Sequence, residues 1–325
     1  MLFLVITCEL AYADGNFVKR PDVQAFIHKM VKKNHFKKDQ LITLFNHVKI
    51  RPQVIRNAKK PLENKPWHIY QMLLVNEWRI QHGVIFWNKY EQALRKAEKK
   101  YGVPASIIVA TIGIESKYGL KTGDYRVIDS LTNLGFSESP RASFFRSELE
   151  QFLLLTRDEK LDPLKIMGSY AGAIGQPQFI PSSYRQYAVN FSKSGKTDLI
   201  SNEIDVIGSI ANYYKKNGWI SHEPVAIETR SVGHQFNYLL QQKKIKPPFT
   251  IAELARYGVI PKEKIMKNNL KVNMIELESQ YNKEYWIGFH NFKVIKRYNL
   301  SNSYAMAVYQ LSNYIKLLRE RLNNG

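Results

Sequence analysis

Glu115 is a lone carboxylate at the end of an almost wholly apolar run, Ala105-Ser106-Ile107-Ile108-Val109-Ala110-Thr111-Ile112-Gly113-Ile114. At helical spacing its neighbours one and two turns back are Ile112, Thr111 and Ile108. Desolvation disfavours the charged form of such a group. The partial negative charge of a helix C-terminus acts in the same direction. A carboxylic acid that keeps its proton near neutral pH is what general-acid cleavage of a glycosidic bond needs. The position also fits a helix-end carboxylate that reaches solvent or pairs with Lys117 or Arg126.

A second cluster is Gly168-Ser169-Tyr170-Ala171-Gly172-Ala173-Ile174-Gly175-Gln176-Pro177-Gln178-Phe179-Ile180-Pro181-Ser182-Ser183-Tyr184. Small residues let backbone approach a ligand or another element closely. Ser169 and Gln178 have the donors and acceptors to bind sugar hydroxyl and amide groups. Tight packing around glycines explains the same composition. No strand pattern precedes the cluster and no Lys-Ser/Thr follows its last glycine, so it is not a phosphate loop. The eight histidines are scattered, with no HExxH and no cysteine partners, which argues against zinc.

These residues need elements to position them. Helical spacing runs through 21–102, as in Val23, Phe26, Ile27, Met30 and Val31, with Pro52, Pro61 and Pro66 marking a loop. Pro104 fits the first turn of a central helix that ends near Gly119. Further helices are expected at 143–158, 182–191 and 205–217. From Glu223 the texture changes. Residues 225–230, 272–277, 285–289 and 292–295 alternate as strands do, around a helix at 249–257 capped by Thr250. Residues 305–321 return to helical spacing. The fold class is mainly α, with a small β-containing insert (α+β). The expected divisions are a signal segment at 1–13, a helical domain at 14–104, a core at 105–223, a small α/β insert at 224–297 and a C-terminal helix at 298–325 that packs back on the core.

Composition sets the outer bounds. The chain has 325 residues, 44% hydrophobic and 23% charged, enough for a sizeable core without disulfide or metal staples. The formal net charge of +20 is unevenly spread. Residues 14–104 carry 19 basic and 7 acidic side chains, 105–223 carry 13 of each, and 224–325 carry 16 and 7. The neutral middle holds the candidate chemistry. The basic flanks suit a polyanionic setting such as an acidic polymer or an anionic membrane surface. No basic recognition helix or stacking motif supports nucleic acid as a partner.

Leu2–Ile6 followed by Ala11-Tyr12-Ala13 reads as the apolar and cleavage regions of a secretory signal. Cleavage after Ala13 is the first reading and lipidation at the only cysteine, Cys8, the second. A frayed apolar terminus is the third.

Several spaced motifs then agree with one family. They are Glu115-Ser116-Lys117-Tyr118-Gly119, Leu131-Thr132-Asn133-Leu134-Gly135-Phe136, Arg141–Leu149, Gly168–Tyr184, Asp205–Tyr214, Gly218-Trp219 and Tyr298–Val308. Over residues 21–325 the chain resembles the lytic murein transglycosylase B family. The resemblance implies a lysozyme-like helical core, a helical domain and a small inserted β-containing domain. It implies cleavage of the MurNAc-GlcNAc β-1,4 bond of peptidoglycan with formation of 1,6-anhydro-MurNAc, by a monomer that requires no cofactor. The compartment implied is the periplasm, with an outer-membrane anchor if Cys8 is lipidated. Glu115 falls on the catalytic glutamate, and Ser169 and Gln178 on residues near the adjacent sugar. Tyr213, Tyr298, Asn299, Tyr304, Tyr70 and Arg141 fall on cleft positions. No second carboxylate occupies an obvious partner position in these motifs, so the two-carboxylate scheme of ordinary glycosidases is not met. A hydrolytic muramidase and a non-catalytic wall-binding protein are the alternative functions.

The chain departs from the family in two places. Where the family has a calcium loop, this chain offers Asn190, Ser192, Ser194, the Lys196 carbonyl and Asp205. Asn190 and Ser194 stand where carboxylates are expected, Lys193 and Lys196 add positive charge, and the loop is one residue longer. A hard dication wants anionic oxygens, so calcium binding is expected to be weak or absent. Gln176-Pro177 also replaces the expected residues ahead of Gln178, and Pro177 removes a backbone donor.

Overall fold

The computed structural model describes residues 17–59, 62–231, 235–236, 248–263 and 270–324. Cys8 and Ala13 of the expected signal segment, and Pro61, lie outside the described residues. The first hundred residues form α1 (Pro21–Asn34), α2 (Lys38–Asn46), α3 (Pro52–Ala58), α4 (Trp67–Leu74), α5 (Glu77–Lys89) and α6 (Glu91–Tyr101). Then come α7 (Ala105–Ser116), β1 (Tyr125–Arg126), α8 (Val127–Gly135), α9 (Ala142–Asp158), β2 (Met167–Gly168), α10 (Pro181–Tyr187) and α11 (Glu203–Lys216). The last third holds β3 (Ala226–Ser231), β4 (Phe249–Thr250), α12 (Ile251–Arg256), β5 (Val259–Pro261), β6 (Lys271–Glu278), β7 (Lys283–Gly288), α13 (His290–Lys296) and α14 (Asn302–Asn324).

Among the elements that differ from expectation, three have a plain physical reason. Pro52 opens α3 instead of breaking the chain, because a first-turn residue needs no amide donor. Every residue of α8 is buried, so no polar face marks its period in the sequence. The stretch 292–295 is helical, not a strand. Phe292, Val294 and Ile295 are buried, and the Asn291 side chain, bonded to the backbone of Ile220 and Glu223, fixes the start of α13.

The chain forms two compact units, one of residues 1–61 with 122–186 and one of residues 62–121 with 187–325. In the first unit α8 packs on α9 and α3 on α8. Phe136 meets Phe17 and Phe26 edge-on, and Phe26 meets Phe45 in the same way. Asp129, fully buried, pairs with Arg126 at 2.7 Å and accepts the Lys49 amide at 2.9 Å.

In the second unit α14, α5, α6 and α11 pack around α7, whose residues Ala105–Gly113 are all buried. The apolar stripe of α6, Leu94, Ala97 and Tyr101, faces inward, while Lys96 and Lys100 lie over the Phe191 ring. The antiparallel sheet has the order β4-β6-β7-β3-β5. One face forms a small core from Phe249, Leu254, Val259, Val272 and Ile287. Trp286, at the alternate register, meets Tyr309 of α14 edge-on at 6.4 Å. Among the described residues no helix is long and apolar enough to cross a membrane.

Candidate active site

Glu115 lies in the last turn of α7, half-buried. The Tyr304 hydroxyl, on the third residue of α14, donates to Glu115 Oε1 at 2.5 Å. Tyr304 is fully buried, and its ring lies nearly parallel to that of Tyr298, with centroids 6.1 Å apart. Tyr298 in turn lies 4.6 Å from Tyr213 and 5.7 Å from Tyr214. Each phenol of α11 is anchored. Tyr213 donates to the Arg297 carbonyl at 2.7 Å. Tyr214 shares a 2.8 Å bond with Thr111 Oγ1, one turn before Glu115 on the same helix. The apolar helix thus places one carboxylate among four tyrosines drawn from α11, α14 and the turn before α14.

Burial holds all four phenols above the usual tyrosine range, and the charge of Glu115 adds to it. Burial of Tyr298 and Tyr304 raises them well above that range. They therefore stay protonated at neutral pH, and Tyr304 acts as a donor to Glu115. Arg126, one of the partners considered for Glu115, is committed to Asp129.

The structure brings Glu115, Tyr213, Tyr298 and Tyr304 together. Asn299 sits on the turn ahead of α14, where its carbonyl accepts the Ser301 amide at 2.6 Å. Tyr70 is a core residue of α4, 1% exposed and stacked on Trp67. Tyr214 and Thr111 were not among the expected site residues, although Tyr214 adjoins Tyr213 in the same motif and Thr111 lies four residues before Glu115.

Ser169, Gln178 and Arg141 belong to the first unit. Ser169 Oγ accepts the amides of Ala171 and Ala173 at 3.2 and 3.1 Å, folding its own turn. Gln178 has a left-handed backbone (φ 50°), and its Nε2 donates to the carbonyls of Thr122 and Gly175 at 2.9 and 2.8 Å. A Cβ on Gly168 would stand 2.1 Å from the Ala173 carbonyl oxygen, so this glycine permits close backbone approach. Arg141 is exposed and lies over the rings of Phe144 and Phe145.

In the loop at 190–205 the candidate calcium ligands hydrogen-bond within the loop. Its one inward carboxylate, Asp205, is fully buried and accepts the amides of Ser192 and Asp198 at 2.7 and 3.0 Å, one on each oxygen. Asn190 Oδ1 accepts the Ser194 amide, and Ser194 Oγ donates to the Lys196 carbonyl, both at 3.0 Å. Among the described residues no group of three or more His, Cys, Asp or Glu could hold a metal. Among the five candidate ligands the oxygens are engaged with one another and with backbone amides, and only Asp205 is a carboxylate.

Comparison with known proteins agrees with this geometry. Residues 19–313 match the family described as Transglycosylase SLT domain. Membrane-bound lytic murein transglycosylase B of Escherichia coli (strain K12) is 39% identical over 315 residues, which cover 94% of this chain and 85% of that protein. The crystal structure of soluble lytic transglycosylase SltB1 from Pseudomonas aeruginosa superposes with a TM-score of 0.85 at 42% identity, covering 92% of this chain and 100% of that one. The Escherichia coli lytic transglycosylase Slt35 in complex with calcium gives a TM-score of 0.84 at 38% identity, covering 96% and 98%. The chain belongs to the Transglycosylase SLT domain family, among its lytic murein transglycosylases of the B type.

Proposed function

We propose that this lytic murein transglycosylase cuts between MurNAc and GlcNAc with Glu115 acting first as acid and then as base. The observation that supports this is the Glu115 carboxylate held by Tyr304 at the end of a buried apolar helix. Glu115 gives its proton to the glycosidic oxygen as the bond to C1 breaks, and the GlcNAc end leaves as an alcohol. The N-acetyl group of the muramoyl sugar stabilises C1. The Glu115 carboxylate then takes the proton of that sugar's C6 hydroxyl, and O6 bonds to C1 to close the 1,6-anhydro ring. The nucleophile belongs to the same sugar, so its effective concentration is high and no water is consumed. Buried tyrosines around the acid keep it in a low-dielectric pocket where these charge shifts are strongly felt.

The catalytic core on this reading is 105–223 with 298–325, and 224–297 is an insert. Ser169, Gln178 and Arg141 are carried as sugar contacts on the family resemblance alone, as are Tyr213, Tyr298 and Asn299. The periplasm is the compartment that suits a murein substrate, and the net charge of +20 suits an anionic wall or membrane surface. Mass spectrometry of digested sacculi tests the reaction: 1,6-anhydro ends are expected, and reducing MurNAc ends would make the enzyme a hydrolase instead.

The loop at 190–205 is proposed to be held without calcium, by Asp205 and its two amides. A site filled at about 100 times its Kd adds about 2.7 kcal/mol of stability. Thermal midpoints in excess calcium and in chelator are therefore expected to coincide, and a rise of several degrees with calcium would overturn the proposal.

A further inference from the structure

Three consecutive residues after α7 have left-handed backbone: Lys117 (φ 50°), Tyr118 (φ 58°) and Gly119 (φ 89°). Only the last is glycine, and side-chain-bearing residues hold such conformations where their surroundings over-determine them. Here the surroundings form a closed circuit. The Tyr118 ring fits against two glycines. A Cβ on Gly113 would stand 2.5 Å from the phenol oxygen, and one on Gly83 2.7 Å from it. The phenol donates to the Arg79 carbonyl at 2.6 Å. The Arg79 guanidinium reaches back to α7, with Nε donating to the Gly113 carbonyl at 3.0 Å and Nη1 to the Leu73 carbonyl at 2.7 Å. Asn76, the cap of α5, holds the Arg79 amide at 3.0 Å.

Arg79 is 6% exposed, and among the described residues no carboxylate pairs with it. A buried cation without an anion is costly. The feature that compensates is the negative end of the α7 dipole, to which Gly113 belongs. Arg79 therefore binds the helix two residues before Glu115, and Tyr118, three residues after it, binds the backbone of Arg79. Between them Ser116 Oγ accepts the Gly119 amide at 3.1 Å, and the Ser116 carbonyl accepts the Lys121 amide at 2.8 Å.

We propose that Arg79 and Tyr118 are positioning residues that clamp both sides of Glu115 and so fix its carboxylate against Tyr304. The proposal rests on Glu115 being the acid, and its consequence is catalytic: a misplacement of about 1 Å at a reacting group can cost about a hundredfold in rate. Tyr118→Phe keeps the ring in its slot and removes only the donor. Arg79→Lys keeps the charge and removes the planar fork. Gly113→Ala drives a methyl into Tyr118.

The test measures amide exchange of the full chain, and kcat and KM on a soluble muroglycan. Exchange at Gly119 and Lys121 is expected to quicken at least tenfold in Tyr118→Phe and Arg79→Lys, with Ile108–Ile112 unchanged. Turnover should fall about tenfold with KM within twofold, and Gly113→Ala should reproduce both effects. Wild-type exchange and kcat in the folded variants would overturn the clamp. A loss of kcat matched by the loss of folded protein would do so too. Absence of anhydro products from the wild type would instead remove the reading of Glu115, while the exchange data still decide whether the clamp exists.

Discussion

Glu115→Gln is expected to abolish the release of anhydro-muropeptides from purified sacculi while leaving the fold intact. Glutamine has nearly the same shape, but it neither gives up a proton to a leaving oxygen nor takes one from the C6 hydroxyl. Positioned acid or base catalysis contributes about 10²- to 10⁴-fold in a step. With both steps resting on one side chain in the proposed mechanism, the fall in kcat should reach at least about 10³-fold. Stability should change little. The Tyr304 hydroxyl, 2.5 Å from Oε1, finds an amide carbonyl oxygen in the same place, so the half-buried site keeps its hydrogen bond. A thermal melt within a few degrees of wild type, beside a sacculus digest with no soluble product, is the expected pair of results. Residual turnover within tenfold of wild type would remove Glu115 from its role.

The sequence carried Glu115 because its signal is local: one carboxylate after ten residues of apolar helix stands out from its neighbours. Its partner Tyr304 is 189 residues away, and only the motif resemblance connected the two. What was illegible follows from the same physics. α8 is buried all round, so it has no alternation of polar and apolar faces to read. The strand pattern at 292–295 was overridden by the side chain of Asn291, whose bonds to 220 and 223 are non-local. Ser169 and Gln178 were legible as polar groups in a small-residue loop. That the Ser169 oxygen and the Gln178 amide nitrogen serve their own turns depends on φ angles and close backbone approach, which composition does not encode. The passage of the chain between units at 61 falls in the proline-marked loop, but nothing in residue texture says that the chain changes units there, or again at 121 and 186. The loop at 190–205 was the most legible departure, since replacing carboxylates with Asn and Ser changes its charge directly.

Tyr304→Phe should lower kcat about ten- to a hundredfold, which is about 1.4 to 2.7 kcal/mol of transition-state stabilisation. The ring volume stays, so the packing of α14 on α7 survives, and what disappears is one donor to Oε1. That donor acts at the moment charge develops. In the proposed mechanism, once Glu115 has given its proton to the leaving oxygen, the anion formed is stabilised by a hydroxyl already in place, without reorganisation. The pH profile carries the sign of the effect. Burial first, then the charge of Glu115, hold the Tyr304 phenol well above the usual tyrosine range. It remains a protonated donor through neutral and mildly alkaline pH and adds no limb of its own there. In the proposed mechanism the alkaline limb of kcat is expected to follow the loss of the acid's proton. Removing a donor to the carboxylate disfavours the ionised form, so the acid keeps its proton to higher pH and the limb moves upward. KM should stay within twofold, because Tyr304 is 2% exposed and offers the substrate almost no surface. A Tyr304→Phe enzyme with wild-type kcat, or with its alkaline limb moved to lower pH, would show that this hydroxyl does not hold the acid in its working state.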